Sequence, residues 1–254
     1  MSDERPVVWD TAGPLARITL NRPEVLNAEN LAWVAGLEKA TAEVAALPDV
    51  RVVLVRGAGR AFCAGMDRDM LGLGGMPPGF YEGQERALRT LEEMDKITVA
   101  ALHGYCLGGG LQLAIACDIR ICSSDCRLGL PAGELGLFPG MAVWRLPRLI
   151  GLGPARRMIL YGDLVEPVEA LRLGLVDHLV LAESFDSGVA EILERYLAAP
   201  RTASAAAKRL MARALEAPFE SVYEESRQLL AECLASPEMA AAIEAWRRRR
   251  ADRG

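Results

Sequence analysis

The sequence predicts an α/β fold built on parallel strand pairs with crossover helices. Two observations carry this. Short β-branched runs alternate with segments of helical periodicity. Two of those runs, Val52-Val53-Leu54-Val55 and Ile97-Thr98-Val99-Ala100, each lead into a glycine-bearing turn followed by a helix-like pattern.

Strands are expected at residues 15–20, 52–56, 98–102, 119–123 and 175–180, and helices at 30–46 and 80–94. The first strand has no G-x-G-x-x-G behind it, which argues against a dinucleotide fold. A break falls at Ala198-Ala199-Pro200. Beyond it the chain is Ala-rich, with helices expected at 203–215, 219–235 and 237–250, Pro218 and Pro237 suiting first helical turns. The division expected is therefore a core over residues 1–199 and C-terminal helices over 200–254.

Composition narrows the class. A chain of 254 residues can bury a core without disulfides or metals. With 51% hydrophobic and 25% charged residues it reads as an ordinary globular enzyme. A net charge of −5 offers no field for nucleic acid, and Arg247-Arg248-Arg249-Arg250 is a local, terminal run. No apolar stretch is long enough for a membrane helix, and the polar N-terminus reads as neither signal nor transit peptide, so a cytoplasmic enzyme is expected. The six cysteines fit no trusted metal template and are expected as free thiols. Only His103 and His178 are present, so neither a histidine metal site nor a Ser-His-Asp triad is expected. His103 either supports its turn or takes part in function. Residues 71–79, rich in Gly and Pro, are expected to be mobile, as pocket lining or as a plain connector.

The two turns carry the chemistry. The first reads Phe62-Cys63-Ala64-Gly65-Met66-Asp67, the second His103-Gly104-Tyr105-Cys106-Leu107-Gly108-Gly109-Gly110. Glycines let backbone approach a ligand, and a helix start leaves free N–H groups. Two such turns can aim two donors at one carbonyl oxygen, an oxyanion hole suited to an enolate or a tetrahedral oxyanion.

These turns, together with Asn21-Arg22-Pro23-Glu24-Val25-Leu26-Asn27-Ala28, Cys117-Asp118-Ile119-Arg120, Leu135-Gly136-Leu137-Phe138-Pro139-Gly140 and Ala170-Leu171-Arg172-Leu173-Gly174-Leu175-Val176, resemble the crotonase superfamily, the enoyl-CoA hydratase/isomerase family. The resemblance covers nearly the whole chain. It implies a crotonase-like spiral of β-β-α turns with a C-terminal helical trimerisation region, and a homotrimer or homohexamer; an ordinary helical cap on the same subunit is the alternative. It implies an acyl-CoA thioester as substrate and no separate cofactor, coenzyme A entering as part of the substrate. The N–H groups of Met66 and Gly109 would hold the thioester oxygen. Glu24, Val25, Leu26, Ala64, Asp67 and Gly108 would join them around the CoA ester. Relatives often carry a basic residue where this chain has Glu24, so phosphate pairing is expected elsewhere, with Arg22, Arg60 and Arg68 as candidates.

The chain departs from the family where hydratases place two glutamates: the positions hold Gln112 and Ala132. The aspartate that some members carry is replaced by Gly140. Gln and Ala cannot transfer a proton. Glu134 is the remaining nearby carboxylate; in an extended segment it would share a face with position 132, and in a helical turn it would point elsewhere. Asp67 and Asp69 are expected to support a helix N-terminus. Tyr81 and Glu85 lie on the helix that borders the acyl pocket in the family, and surface or core roles are expected for them. The resulting expectation is an enolate-stabilising acyl-CoA enzyme. Double-bond isomerisation with Glu134 as base leads, followed by decarboxylation and thioester hydrolysis, and a catalytically weak acyl-CoA-binding subunit is the rival from another class.

Overall fold

A computed structural model of the chain describes residues 5–72 and 75–251. Leu73 and Gly74 of the predicted mobile loop, and residues 1–4 of the polar N-terminus, lie outside the described residues. In chain order the elements are β1 (Val7–Ala12), β2 (Leu15–Leu20), α1 (Leu31–Ala45), β3 (Val52–Gly57), α2 (Arg68–Gly72), α3 (Phe80–Glu93), β4 (Ile97–Leu102), β5 (Tyr105–Leu107) and α4 (Gly109–Ile115). There follow β6 (Ile119–Ser123), β7 (Arg127–Gly129), α5 (Ala142–Ile150), α6 (Leu152–Arg156), β8 (Leu164–Val165), α7 (Pro167–Leu173), β9 (His178–Val180), α8 (Phe185–Leu197), α9 (Arg201–Arg213), α10 (Phe219–Ala235) and α11 (Pro237–Ala251).

One sheet has the order β1-β2-β3-β4-β6-β9, and a smaller one the order β5-β7-β8. From β2 to β9 every pairing in the large sheet is parallel; only β1 runs antiparallel to its neighbour. The central strands are apolar on both faces because both faces are covered, as parallel sheets require. Val53, Val55, Ala100 and Leu102 face the main core with Trp33 and Leu37 of α1 and Phe80, Leu88 and Leu91 of α3. Val52, Leu54, Val99 and Ala101 face the other way, onto Val189 and Leu193 of α8. Residues 15–20, 98–102 and 119–123 are strand as expected, whereas the strand expected over 175–180 shrinks to His178–Val180. Here Leu175 and Val176 are spent on the turn after α7, their N–H groups both donating to Ala170 O.

Asn30 caps α1, its side chain accepting from Trp33 N–H. Upstream, Leu26 and Asn27 both take the left-handed conformation, which asparagine tolerates better than most residues. Asn27 is fully buried and donates through Nδ2 to Ala58 O (2.9 Å) and Ala61 O (2.8 Å), while its Oδ1 accepts from Arg22 N–H. It thereby ties the early loop to the segment that enters the first glycine turn. The C-terminal helices are fastened to this chain's own core. Lys208 of α9 donates to Leu91 O, Lys96 O and the Asp118 carboxylate, and Arg51 donates to Leu197 O and Ala199 O.

Replacing Asn27 with Ala strands two buried carbonyls and one N–H. Each unmet buried group costs roughly 1–3 kcal/mol, so Asn27→Ala is expected to lower the urea midpoint clearly, with a total loss of about 2–4 kcal/mol.

Candidate functional site

Beyond β3 the chain does not stop pairing. Residues 62–66 run parallel to 103–107: Phe62 N–H donates to His103 O, Cys63 N–H to Tyr105 O and Leu107 N–H to Cys63 O, all at 2.9 Å. On the opposite edge the early loop joins. Ala64 N–H donates to Leu26 O, Glu29 N–H to Gly65 O and Asp67 N–H to Glu29 O. The two glycine turns, forty residues apart in sequence, are therefore neighbours on one continuous backbone scaffold.

Glycine is what lets them touch. A Cβ on Gly65, which sits at φ +88°, would lie 2.9 Å from Leu107 O and 3.4 Å from Gly109 N. One on Gly110 would lie 2.5 Å from Cys63 O. Among the described residues neither Met66 N–H nor Gly109 N–H donates to a backbone carbonyl. Gly109 opens α4, where the first N–H groups have no intrahelical acceptor.

Residues missed by sequence reasoning crowd behind this pair. Glu29 is fully buried, and its carboxyl occupies the space where a Gly109 side chain would be: a Cβ there would fall 1.9 Å from Oε2. Gln84 of α3 donates to Glu29 Oε2 at 2.9 Å, and Cys63 Sγ lies 3.7 Å from Oε1. Burial pushes the Glu29 carboxyl up to about 8, against the lowering effect of hydrogen bonds from Cys63 and Gln84. Burial likewise pushes the Cys63 thiol up, helped by the nearby Glu29. The only sequence signal was a charged residue inside the otherwise neutral stretch 25–37, too weak to separate from a solvated loop glutamate.

In front of the turns, Gln112, Tyr81 and Gly140 converge. A Cβ on Gly140 would lie 2.6 Å from Gln112 Oε1 and 3.1 Å from Tyr81 Cε2. Gln112 Oε1 is buried without a hydrogen-bond partner. Burial raises the Tyr81 phenol, and the Glu85 charge adds to it. Glu85 itself is held, with Glu92, by the buried Arg145 of α5. Burial opposes the guanidinium charge, but the two carboxylates outweigh it and raise its pKa.

The other expected residues are distributed as follows. Pro131–Leu135 forms a 3-10 turn, not an extended segment, and Glu134 is exposed on it. The extended geometry that would align Glu134 with position 132 is therefore absent. Glu24 and Val25 lie in a 3-10 turn ending at the left-handed Leu26. Ala64 and Gly108 sit within the paired turns. Asp67 accepts from Asp69 N–H at the start of α2, the helix support expected of it, and also pairs with Arg22 at 3.0 Å. Asp69 makes its contact through its backbone N–H. Arg60 and Arg68 are exposed. His103 Nε2 lies 3.0 Å from Gly59 O, tying the two turns' approaches together. A cavity of about 560 Å³ beside the first turn is lined by Asp67, Met70, Met76 and Pro77, so the described part of the 71–79 loop borders a cavity next to that turn. A larger cavity of about 900 Å³ lies between α9, α10 and the core and includes no residue of either glycine turn.

A family model described as enoyl-CoA hydratase/isomerase matches residues 10–252. The chain belongs to the enoyl-CoA hydratase/isomerase family. A short-chain-enoyl-CoA hydratase of Clostridium acetobutylicum is 30% identical over 246 residues, covering 94% of both chains. The crystal structure of an enoyl-CoA hydratase from Bacillus anthracis superposes with a TM-score of 0.89 at 27% identity, covering 96% of each chain. A Thermobifida fusca protein solved in complex with CoA superposes at 0.84 with 28% identity, covering 93% of this chain and 95% of that one. The crotonase-like fold and the acyl-CoA-processing class of this member follow. Among the described residues no helix is long and apolar enough to cross a membrane.

Gly110→Ala forces a methyl against the Cys63 backbone and should destabilise the protein by about 1–3 kcal/mol. Gly133→Ala, where nothing lies within 4 Å, is the matched control and should be near neutral. Thermal melts of the two variants side by side read the difference.

Proposed function

We propose that the protein binds acyl-CoA thioesters with the thioester oxygen between Met66 N–H and Gly109 N–H, and that it stabilises the enolate formed there. The observation that carries this reading is the contact of the two glycine turns, where among the described residues neither donor has a backbone acceptor. Such donors are typically worth roughly 10²–10³ in rate each. The CoA complex of the similar Thermobifida fusca protein, and the hydratase names of the relatives, support the substrate class. The loop at Glu24, Val25 and Leu26, with Ala64, Asp67 and Gly108, would accompany the CoA portion. Arg22, engaged by Asp67, is a poorer phosphate partner than the exposed Arg60 and Arg68.

Among enolate reactions, decarboxylation fits these side chains best. Gln112, Ala132 and Gly140 carry no proton-transferring group, and Glu134 stands on an exposed turn. Loss of CO₂ from a malonyl-type thioester leaves the bonding electrons on the enolate without any base. Water or the Tyr81 phenol then supplies the proton to Cα. Double-bond isomerisation with Glu134 as base is the competing reading, and it needs the 131–135 turn to rearrange.

Turnover on malonyl-type, 3-enoyl and crotonyl thioesters separates these readings. Decarboxylation is expected to lead. Glu134→Gln should leave it unchanged; an isomerase activity lost in that variant would restore Glu134 as the base. Crotonyl-CoA hydration should run at least about a thousandfold below an ordinary hydratase, the scale of losing positioned acid and base groups. Gln112→Glu with Ala132→Glu should raise it, followed at the enoyl-thioester absorbance.

We further propose that the chain assembles as a trimer or hexamer through the region 200–254. Phe219, Tyr223, Leu230 and Leu234 of α10 are all more than half exposed, an apolar surface suited to burial against another subunit. Light scattering at micromolar concentration should give the mass of three or six chains, and a stable monomer would defeat the assignment.

A further inference from the structure

Glu29 is joined to both halves of the oxyanion cradle. Its backbone brackets Met66: Glu29 N–H donates to Gly65 O at 2.8 Å, and Asp67 N–H donates to Glu29 O at 2.9 Å. These two bonds hold the residues on either side of Met66 and turn the Met66 N–H away from the pairing edge. Its side chain fills the space beside Gly109, with both carboxyl oxygens within 2.4 Å of where a Cβ would be.

The surroundings of that carboxyl suit an uncharged acid. Its exposure is 1%. The groups acting on it are Gln84 from α3 and Cys63 from the first turn, and the Cys106 thiol of β5 is itself raised by Glu29. None is a cation. Gln84 Nε2 gives one neutral hydrogen bond to Oε2. Cys63 Sγ lies 3.2 Å from Asn27 O and 3.7 Å from Glu29 Oε1, and it has a single proton. Sγ also accepts from Gly65 N–H at 3.4 Å, and toward Glu29 Oε1 the thiol is a long, weak donor. The carboxyl is therefore met by one amide N–H and one distant thiol, with no charged donor. An ionised Glu29 would leave one oxygen buried without a strong donor, which is costly.

We propose that Glu29 is a positioning residue for the oxyanion cradle, holding Met66 through its backbone and Gly109 through its side chain, and that the cradle works only while this side chain is a neutral carboxylic acid. The role rests on the reading of Met66 and Gly109 as the thioester donors. Ionisation puts a negative charge next to the place where the enolate oxygen develops its own. At an intermediate effective dielectric, a like charge one side chain away weakens oxyanion binding by about 10- to 100-fold. The sign for folding is the same. The folded-state pKa is raised from 4.5 to about 8. Stability linked to the neutral form is complete below the unfolded value and is lost as pH rises through the folded one.

Two readouts test this on the intact protein. The first needs no substrate: the melting temperatures of wild type and Glu29→Gln are compared from pH 5 to pH 9. The variant should gain on wild type as pH rises, by several degrees across the range. A constant difference overturns the neutral-acid assignment. The second uses acetoacetyl-CoA, whose bound enolate absorbs in the near ultraviolet. With wild type the bound-enolate signal, corrected for the free thioester's own ionisation, should fall by 10- to 100-fold above pH 8. With Glu29→Gln that alkaline fall should disappear, whatever the absolute signal. Identical profiles overturn the coupling to the cradle. Should Glu29→Gln fail to fold, Gln84→Leu serves. It removes the N–H that steadies the anion, so the alkaline fall should move to higher pH, and an unmoved profile overturns the proposal. A protein that binds no CoA ester at any pH defeats the thioester reading and with it the cradle role, whereas the melting comparison still decides the protonation of Glu29 separately.

Discussion

The structure hangs on a contact made by backbone alone. Three segments, 26–29, 62–67 and 103–107, lie side by side and exchange hydrogen bonds as strands would, although most of their length is loop. Pairing at this spacing brings the first turn against the start of α4, and only glycine at 65 and 110 leaves room for it. The large parallel sheet serves this contact. β3 and β4 are adjacent and in register, so the chain leaving each of them emerges at the same edge. Ligands of open α/β sheets collect at that edge for the same reason.

Side chains then brace what the backbone has brought together. Asn27 ties the early loop to residues 58 and 61. His103 reaches back to Gly59 O. Arg22 spans from Ala28 O to Asp67 across the first turn. On the far side, Arg145 gathers Glu85 and Glu92 of α3 onto α5, so that the helix carrying Tyr81 and Gln84 is fixed against the one that follows Gly140. With both partners' side chains less than a fifth exposed, this cluster is screened far less than the surface pairs Arg17–Asp10 or Arg227–Glu224, which contribute little.

The sequence was legible where periodicity or a backbone constraint writes itself into residue type. Buried parallel strands announce themselves as β-branched runs, and so β2, β3, β4 and β6 were placed to within a residue or so. α1 and α3 were equally plain, since Asn30 is a cap and Gly79 and Met94 bound an amphipathic stretch. The short strands β5, β7 and β8 escaped because two or three residues cannot show a period. β1 escaped for another reason. It is an edge strand, and Trp9-Asp10-Thr11-Ala12 is half-exposed, with no clean alternation. In the site, the turns could be read from their glycines. Glu134 could not be placed, since extended and 3-10 conformations of Pro131-Ala132-Gly133-Glu134 differ in ψ values that the residue types do not dictate. Glu29 was invisible because its importance is entirely tertiary: it depends on Gly109, eighty positions away, having no side chain.

The distribution of acid groups gives the site its character. The face expected to meet the acyl chain carries an amide, a phenol and a glycine, while the carboxyl nearest the donors is tucked behind them and paired with an amide rather than a cation. On the thioester reading, and with Glu29 neutral, the three groups on that face carry no charge to oppose an enolate and no base to pull a proton from Cα, while the nearby Asp67 and Glu85 are each paired with an arginine. An arrangement of that kind favours reactions that deliver charge to the oxygen by breaking a bond over reactions that shuttle protons between carboxylates. The same two departures that weaken the case for hydration therefore leave the cradle intact, because the donors belong to the backbone and owe nothing to the side chains at 112 and 132.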